Sequence, residues 1–106
     1  MAEGYLREYI LNELKQIVND TLIEDGIKVY LFGSWARNEE KHSSDIDIAI
    51  EAKQSVSPTN WTELIDKVEE STIPYKVDIV DLNGASNELV KKVKTEGILW
   101  SDSTKD

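Results

Sequence analysis

Leu31-Phe32-Gly33-Ser34-Trp35-Ala36-Arg37, followed after a short polar loop by Ser44-Asp45-Ile46-Asp47-Ile48, decides how this chain reads. An apolar run ends in a Gly-Ser turn, and the loop then leads to two carboxylates spaced i, i+2. On a β-strand that spacing directs both acids to one face, while Ile46 and Ile48 take the other. Neighbouring carboxylates repel each other unless solvent or a cation separates them. A Gly-Ser backbone turn beside them is a cradle for phosphate. Together they point to a metal-dependent site for a nucleoside triphosphate.

The elements around this stretch follow from periodicity. From Tyr5 to Glu24, Leu6, Ile10, Leu14, Ile17, Val18 and Leu22 recur at helical spacing, and Asp25-Gly26 supplies a break with a C-cap glycine. Ile27 to Phe32 is a strand, apolar on both faces, as an interior strand is. Asp45 to Glu51 is the second strand. Ser57-Pro58 or Thr59 opens a helix with the apolar stripe Trp61, Leu64, Ile65 and Val68, ending near Ser71. Lys76 to Leu82 is a third strand, and Asn83-Gly84 turns the chain. Ser86 caps a last helix that faces Leu89, Val90 and Val93 inward and ends at Gly97. Ile98-Leu99-Trp100 adds a short strand or packs on the core, and Ser101 to Asp106 reads as a frayed tail. The order α-β-β-α-β-α describes a small α+β (α/β-like) domain over residues 1–106, with helices covering one face of a short mixed sheet. There is no internal repeat, low-complexity segment or interdomain linker.

The third strand carries Val77-Asp78-Ile79-Val80-Asp81. With Val77 and Ile79 turned to the helices, Asp78 points to the opposite face, the one Asp45 and Asp47 occupy. If the strands are neighbours, three carboxylates converge on one uncovered sheet face beside the Gly-Ser turn. Mutual repulsion there would raise their pKa values, and bound Mg²⁺ would relieve it, since hard divalent cations take oxygen ligands. Two acids bridging metal ions about 4 Å apart activate an attacking oxygen and neutralise a leaving pyrophosphate. A third acid completes one metal site and accepts the proton of the attacking hydroxyl. Gly33 lets backbone approach phosphate oxygens, Ser34 offers its N–H and hydroxyl, and Arg37 is placed to offer guanidinium donors.

Gly33-Ser34-Trp35-Ala36-Arg37 and Ser44-Asp45-Ile46-Asp47 resemble the signature of the DNA polymerase beta-like nucleotidyltransferase superfamily. That signature is Gly-Ser, a spacer, Asp-x-Asp, and a third Asp on a later strand. The short chain and the Gly-Ser-x-Ala-Arg form are similar to its minimal nucleotidyltransferase branch, which includes MntA-type antitoxins. The resemblance runs from about Ile27 to Leu82. It implies triphosphate binding by Gly33 and Ser34, metal ligation by Asp45 and Asp47, and Asp78 as the third carboxylate. Asp81 has the wrong strand parity. One position departs: the family usually follows the Arg with Gly, and here stands Asn38, which tolerates a left-handed backbone better than most residues.

On this resemblance the expected activity is Mg²⁺-dependent transfer of a nucleoside monophosphate, AMP from ATP, to an acceptor hydroxyl, with release of pyrophosphate. No second domain to bind the acceptor is expected in this chain. In the minimal branch a separate helical HEPN-type protein fills that role, so the expected partner is such a toxin, in a hetero- or homo-oligomer. The alternatives are a non-catalytic module that neutralises its partner by binding, and a metal-binding structural domain. The full set Gly33, Ser34, Asp45, Asp47 and Asp78 favours chemistry.

Composition excludes other classes. With 21 acidic against 12 basic residues, the net charge of −9 makes the chain a poor nucleic-acid binder alone, but suits Mg²⁺-nucleotide or a basic partner protein. No cysteine and one histidine exclude disulfides and a His-rich zinc site. There is no signal-like segment or membrane-length apolar run, so a cytoplasmic location is expected. His42, Glu39, Glu40, Glu69 and Glu70 read as solvated charge. Trp61 reads as core and Trp100 as a C-terminal anchor. Trp35 reads as buried or as packed on nucleotide or partner, and Arg37 is divided between phosphate contact and a salt bridge.

Overall fold

The computed structural model describes residues 2–23, 26–41 and 43–102. In chain order its elements are α1 (Ala2–Thr21), β1 (Ile27–Phe32), β2 (Ile46–Ala52), α2 (Pro58–Glu70), β3 (Val77–Asp81), a 3-10 turn (Leu82–Gly84), α3 (Asn87–Glu96) and β4 (Ile98–Asp102). They form two compact units, one containing α1 and α2 and the other containing the sheet, the 3-10 turn and α3.

In the helical unit, α1 buries Ile10, Leu14 and Val18, one residue per turn along a single face. Ser57 caps α2 by accepting from the Asn60 N–H, Pro58 occupies its first turn, and Leu64 is fully buried. Just beyond α2, the Thr72 hydroxyl bonds the Glu13 carboxylate at 3.0 Å. Leu6 and Ile65, expected in the buried stripes, are exposed. Leu6 stands one turn before the buried row of α1, and Ile65 is rotated away from Leu64. The expected C-cap is also displaced: α1 ends at Thr21, and Gly26 (φ 79°) instead turns the chain into β1, its carbonyl accepting from Lys53 at 2.8 Å. Asp25, the other half of that expected cap, lies outside the described residues.

The sheet has strand order β3-β2-β1-β4. β1 pairs antiparallel with β2 and β4, while β2 pairs parallel with β3, so the sheet is mixed. β1 and β2 are the interior strands, in register from Ile27↔Ala52 to Phe32↔Asp47. Interior position explains their burial on both faces: Val29, Leu31, Ile46, Ile48 and Ile50 on one, Tyr30 and Ala49 on the other. Ser86 caps α3 and Val93 is its buried anchor, packed with Tyr30, Ala49 and Leu82 inside a ring that includes Phe32, Val80, Leu89 and Val90.

This packing corrects one expectation. The face that carries Asp47 and Asp78 is not bare, because α3 and the 3-10 turn cover its Tyr30–Ala49–Val80 portion. Those three positions are apolar and small or aromatic, so the face buries a helix where it is apolar and keeps the acids beyond it. β4 forms as a true strand and continues through Ser101 and Asp102, which the sequence assigned to a frayed tail. Residues 103–106 of that tail lie outside the described residues. The Asn83 amide ties the end of β2 to the 3-10 turn: Oδ1 accepts from the Ala52 N–H at 2.9 Å, and Nδ2 donates to the Ala52 and Gln54 carbonyls at 2.8 and 3.1 Å.

Candidate functional site

The site is built where β1 stops. After Phe32 the chain reaches Gly33 at φ 75°, a backbone that side chains bearing Cβ rarely adopt. A Cβ on Gly33 would also collide with Asp47 Oδ2. Register explains the approach, because Asp47 lies opposite Phe32 on the antiparallel neighbour and its carboxylate reaches across the strand end. Glycine at 33 therefore serves the turn and the acid at once.

A helix-like turn follows. The N–H groups of Ala36 and Arg37 both donate to the Gly33 carbonyl, at 3.1 and 3.2 Å, and Glu39 donates to the Ser34 carbonyl at 2.9 Å. Ser34 N–H lies at the start of this turn, where donors have no partner within it. Asn38 closes the turn at φ 58°, a left-handed backbone that asparagine tolerates better than most residues.

Asp47 and Asp78 are register partners on the parallel pair β2–β3. Asp45 stands one residue before β2. Burial, first, and then repulsion from Asp78 and Asp45 push the Asp47 carboxyl above the ordinary aspartate range, with Lys92 pulling the other way. The structure thus brings the three acids into one electrostatic neighbourhood beside the Gly33 turn. Lys76 Nζ approaches Asp78 Oδ1 at 3.7 Å, an exposed pair of small energetic weight. Asp81 stays apart, exposed, capping the 3-10 turn by accepting from Asn83 N–H at 2.9 Å.

Trp35 belongs to the supporting structure. It is buried, its Nε1–H donates to the Ser44 carbonyl at 3.3 Å, and its ring meets Tyr75 edge-on at 5.1 Å. Ser44 precedes Asp45, and Tyr75 precedes β3. The next backbone bond joins the same segments, Ile46 N–H donating to the Lys76 carbonyl at 2.9 Å. Trp35 and Tyr75 therefore hold together the approaches to the acid-bearing strands.

Arg37 is occupied by carboxylates of its own. Its Nε bonds Glu39 Oε1 at 2.8 Å and its Nη1 lies 3.7 Å from Glu96 Oε1, at the end of α3. The hydrogen bond to Glu39 is the main reason its pKa is raised. Glu39, expected as solvated charge, is thus an ion-pair partner, and Glu40 is half-buried rather than fully solvated. His42 lies outside the described residues. Lys92 and Glu96 had no signal in the sequence, because their position depends on where α3 crosses the sheet.

Among the described residues, no three acidic, histidine or cysteine side chains stand close enough to form a ready-made metal cage. The donor set still fits one kind of ion. It offers carboxylate oxygens only, and their mutual repulsion at Asp47 is what a cation would relieve. Mg²⁺ characteristically takes one or two carboxylates and completes its shell with water and substrate phosphate, rather than entering an all-protein cage.

Comparison with known proteins covers most of the chain. A family profile described as "Polymerase beta, Nucleotidyltransferase" matches residues 10–105. The chain is 38% identical over 101 residues to protein adenylyltransferase MntA of Shewanella oneidensis, covering 91% of this chain and 70% of that protein. Its fold is similar to a crystal structure of a toxin–antitoxin with AMP-PNP, at a TM-score of 0.69 and 30% identity, over 86% of this chain and 72% of that one. It is also similar to a structure of tri-AMPylated Shewanella oneidensis HEPN toxin in complex with MNT antitoxin, at a TM-score of 0.66 and 28% identity, over 91% and 72% of the two chains. Among the described residues no helix is long and apolar enough to cross a membrane.

Proposed function

This chain belongs to the polymerase beta nucleotidyltransferase family, and from that footing we propose that residues 1–106 act as one catalytic domain that transfers AMP from ATP to an acceptor hydroxyl and releases pyrophosphate. The observation that carries the proposal is the placement of Asp47, seated against Gly33 at the end of β1 and repelled by Asp78 and Asp45. That arrangement leaves a divalent cation and a triphosphate as the natural complement of the face.

Each residue has a role within it. Gly33 keeps the strand end open for phosphate, and Ser34 binds phosphate oxygen through its N–H and hydroxyl. Asp45, Asp47 and Asp78 would hold Mg²⁺. When bound, the metal supplies charge neutralisation for the leaving pyrophosphate and lowers the barrier to attack. Asp78, on the edge strand, accepts the proton of the attacking hydroxyl in this reading. Arg37 holds the turn to α3 through Glu39 and Glu96, and its remaining guanidinium donors contact the triphosphate.

ATP as the nucleotide and a HEPN-type toxin as the acceptor-bearing partner are supported by the relatives: one is named an adenylyltransferase, and others are AMP-PNP-bound or AMPylated toxin–antitoxin complexes. The net charge of −9 suits a basic partner. The test is incubation with Mg²⁺ and α-labelled ATP, with and without the co-expressed partner. Label on the partner that disappears in Asp47→Ala is the expected result. A stable complex with no transfer at any metal or nucleotide concentration would instead make the chain a neutralising binder.

A further inference from the structure

Among the described residues, the orientation of α3 leaves Lys92 uncommitted beside the acids. Asp47 and Glu51 lie on the same face of β2, one turn of helix apart in number but separated along the strand by about 13 Å. On one edge of α3, Lys94 Nζ bonds Glu51 Oε2 at 2.8 Å. On the other edge, Glu96 reaches Arg37 in the turn that follows Gly33. Between these edges Val93 is buried in the sheet face. Two ion pairs and one buried side chain thus fix which way each edge points.

Lys92 is one helical turn before Glu96, on the same edge. It therefore borders the Asp47 end of the sheet, on the edge that Glu96 joins to the turn after Gly33. Helix and sheet also close up at this point, since a Cβ on Gly97 would press on the Val93 carbonyl and come within 3.1 Å of the Leu31 carbonyl. Of the nearby cations, Arg37 is held by Glu39 and Glu96, and Lys76 approaches Asp78. Lys92 is exposed and forms no ion pair among the described residues.

We propose that Lys92 is a phosphate-binding residue of the site, its ammonium contacting the triphosphate from the α3 side opposite Gly33 and Ser34. The proposal rests on the nucleotide-transfer reading above and adds a residue to it. A triphosphate beside three carboxylates carries more negative charge than one or two divalent ions cancel. A flexible point charge at the rim supplies the remainder without requiring bidentate geometry. Lys92 then lowers the energy of bound substrate and steers it inward.

The experiment is calorimetric titration of AMP-PNP with Mg²⁺ into the wild type, Lys92→Gln, Lys92→Arg and Lys91→Gln, the last on the outward side of α3. Lys92→Gln is expected to weaken binding about tenfold or more, the loss typical of a charge-assisted contact. Lys92→Arg should stay within about threefold of wild type, and Lys91→Gln should be unchanged. Equal binding by Lys92→Gln and wild type would overturn the proposal and leave the transfer reading intact. Equal weakening in Lys92→Arg and Lys92→Gln would also overturn it, by showing that shape rather than charge is read. Absence of binding by the wild type would remove the transfer reading itself.

Discussion

Replacing Gly33 with alanine tests the coupling between the turn and the acid. Two costs are expected. The residue sits at φ 75°, where a side chain bearing Cβ is disfavoured by about 1–2 kcal/mol. The added methyl also runs into Asp47 Oδ2, and moving that carboxylate or the strand end adds about 1–3 kcal/mol, as overpacking does. In an Asp47→Ala background only the first cost remains, because Asp47 Cβ lies 3.5 Å from the same point, an ordinary contact. Urea denaturation of the two single variants and the double variant measures the difference. The cycle should show a coupling of about 1–3 kcal/mol, above the ~0.5 kcal/mol expected of independent sites. Gly84→Ala is the control: nothing lies within 4 Å of its would-be Cβ, so its stability should stay within about 1 kcal/mol of wild type. Additive Gly33 and Asp47 variants, or a Gly33→Ala protein as stable as wild type, would refute the reasoning.

Asp47→Asn should separate stability from activity. Burial and repulsion raise the Asp47 pKa, so its ionisation costs stability above the folded pKa, and the cost fades as pH falls towards the ordinary value of 3.8. The metal-free variant should melt higher than wild type at pH 7, lose that advantage below the ordinary aspartate range, and transfer no label; thermal melts across pH read this. Asn38→Gly should leave activity unchanged and stability equal or higher, because φ 58° costs glycine nothing, whereas Asn38→Val should lose about 1–2 kcal/mol in urea melts. Trp35→Phe removes the bond to the Ser44 carbonyl and should cost about 1 kcal/mol, with a larger loss in transfer rate than Trp61→Phe.

Much of the site was legible because its parts follow short-range rules. The apolar run Ile27–Phe32 announced an interior strand, the i, i+2 spacing of Asp45 and Asp47 announced a shared face, and the parity of Val77-Asp78-Ile79 added the third acid. Asn38 could be judged from its tolerance of positive φ. What escaped depends on long-range register. Parity puts Asp78 on the right face, but only the parallel β2–β3 ladder sets it beside Asp47. The collision of Gly33 with Asp47, the Trp35–Ser44 bond and the Asn83 clamp on Ala52 join residues whose separation in sequence carries no signal. The packing of α3 on the acid-bearing face was missed because Val93, Leu89 and Val90 show which side of the helix is buried, not which sheet face receives it. Lys92 followed from that omission.

The central claim is that the acids at the end of β1 and β2 are where metal and nucleotide meet. A crystal of this protein soaked with Mg²⁺ and AMP-PNP tests it most directly. The account predicts triphosphate density between Ser34 and the carboxylates of Asp45, Asp47 and Asp78, with an ion bridging phosphate and carboxylate oxygens. Triphosphate bound elsewhere, with these three acids still facing solvent, would contradict it.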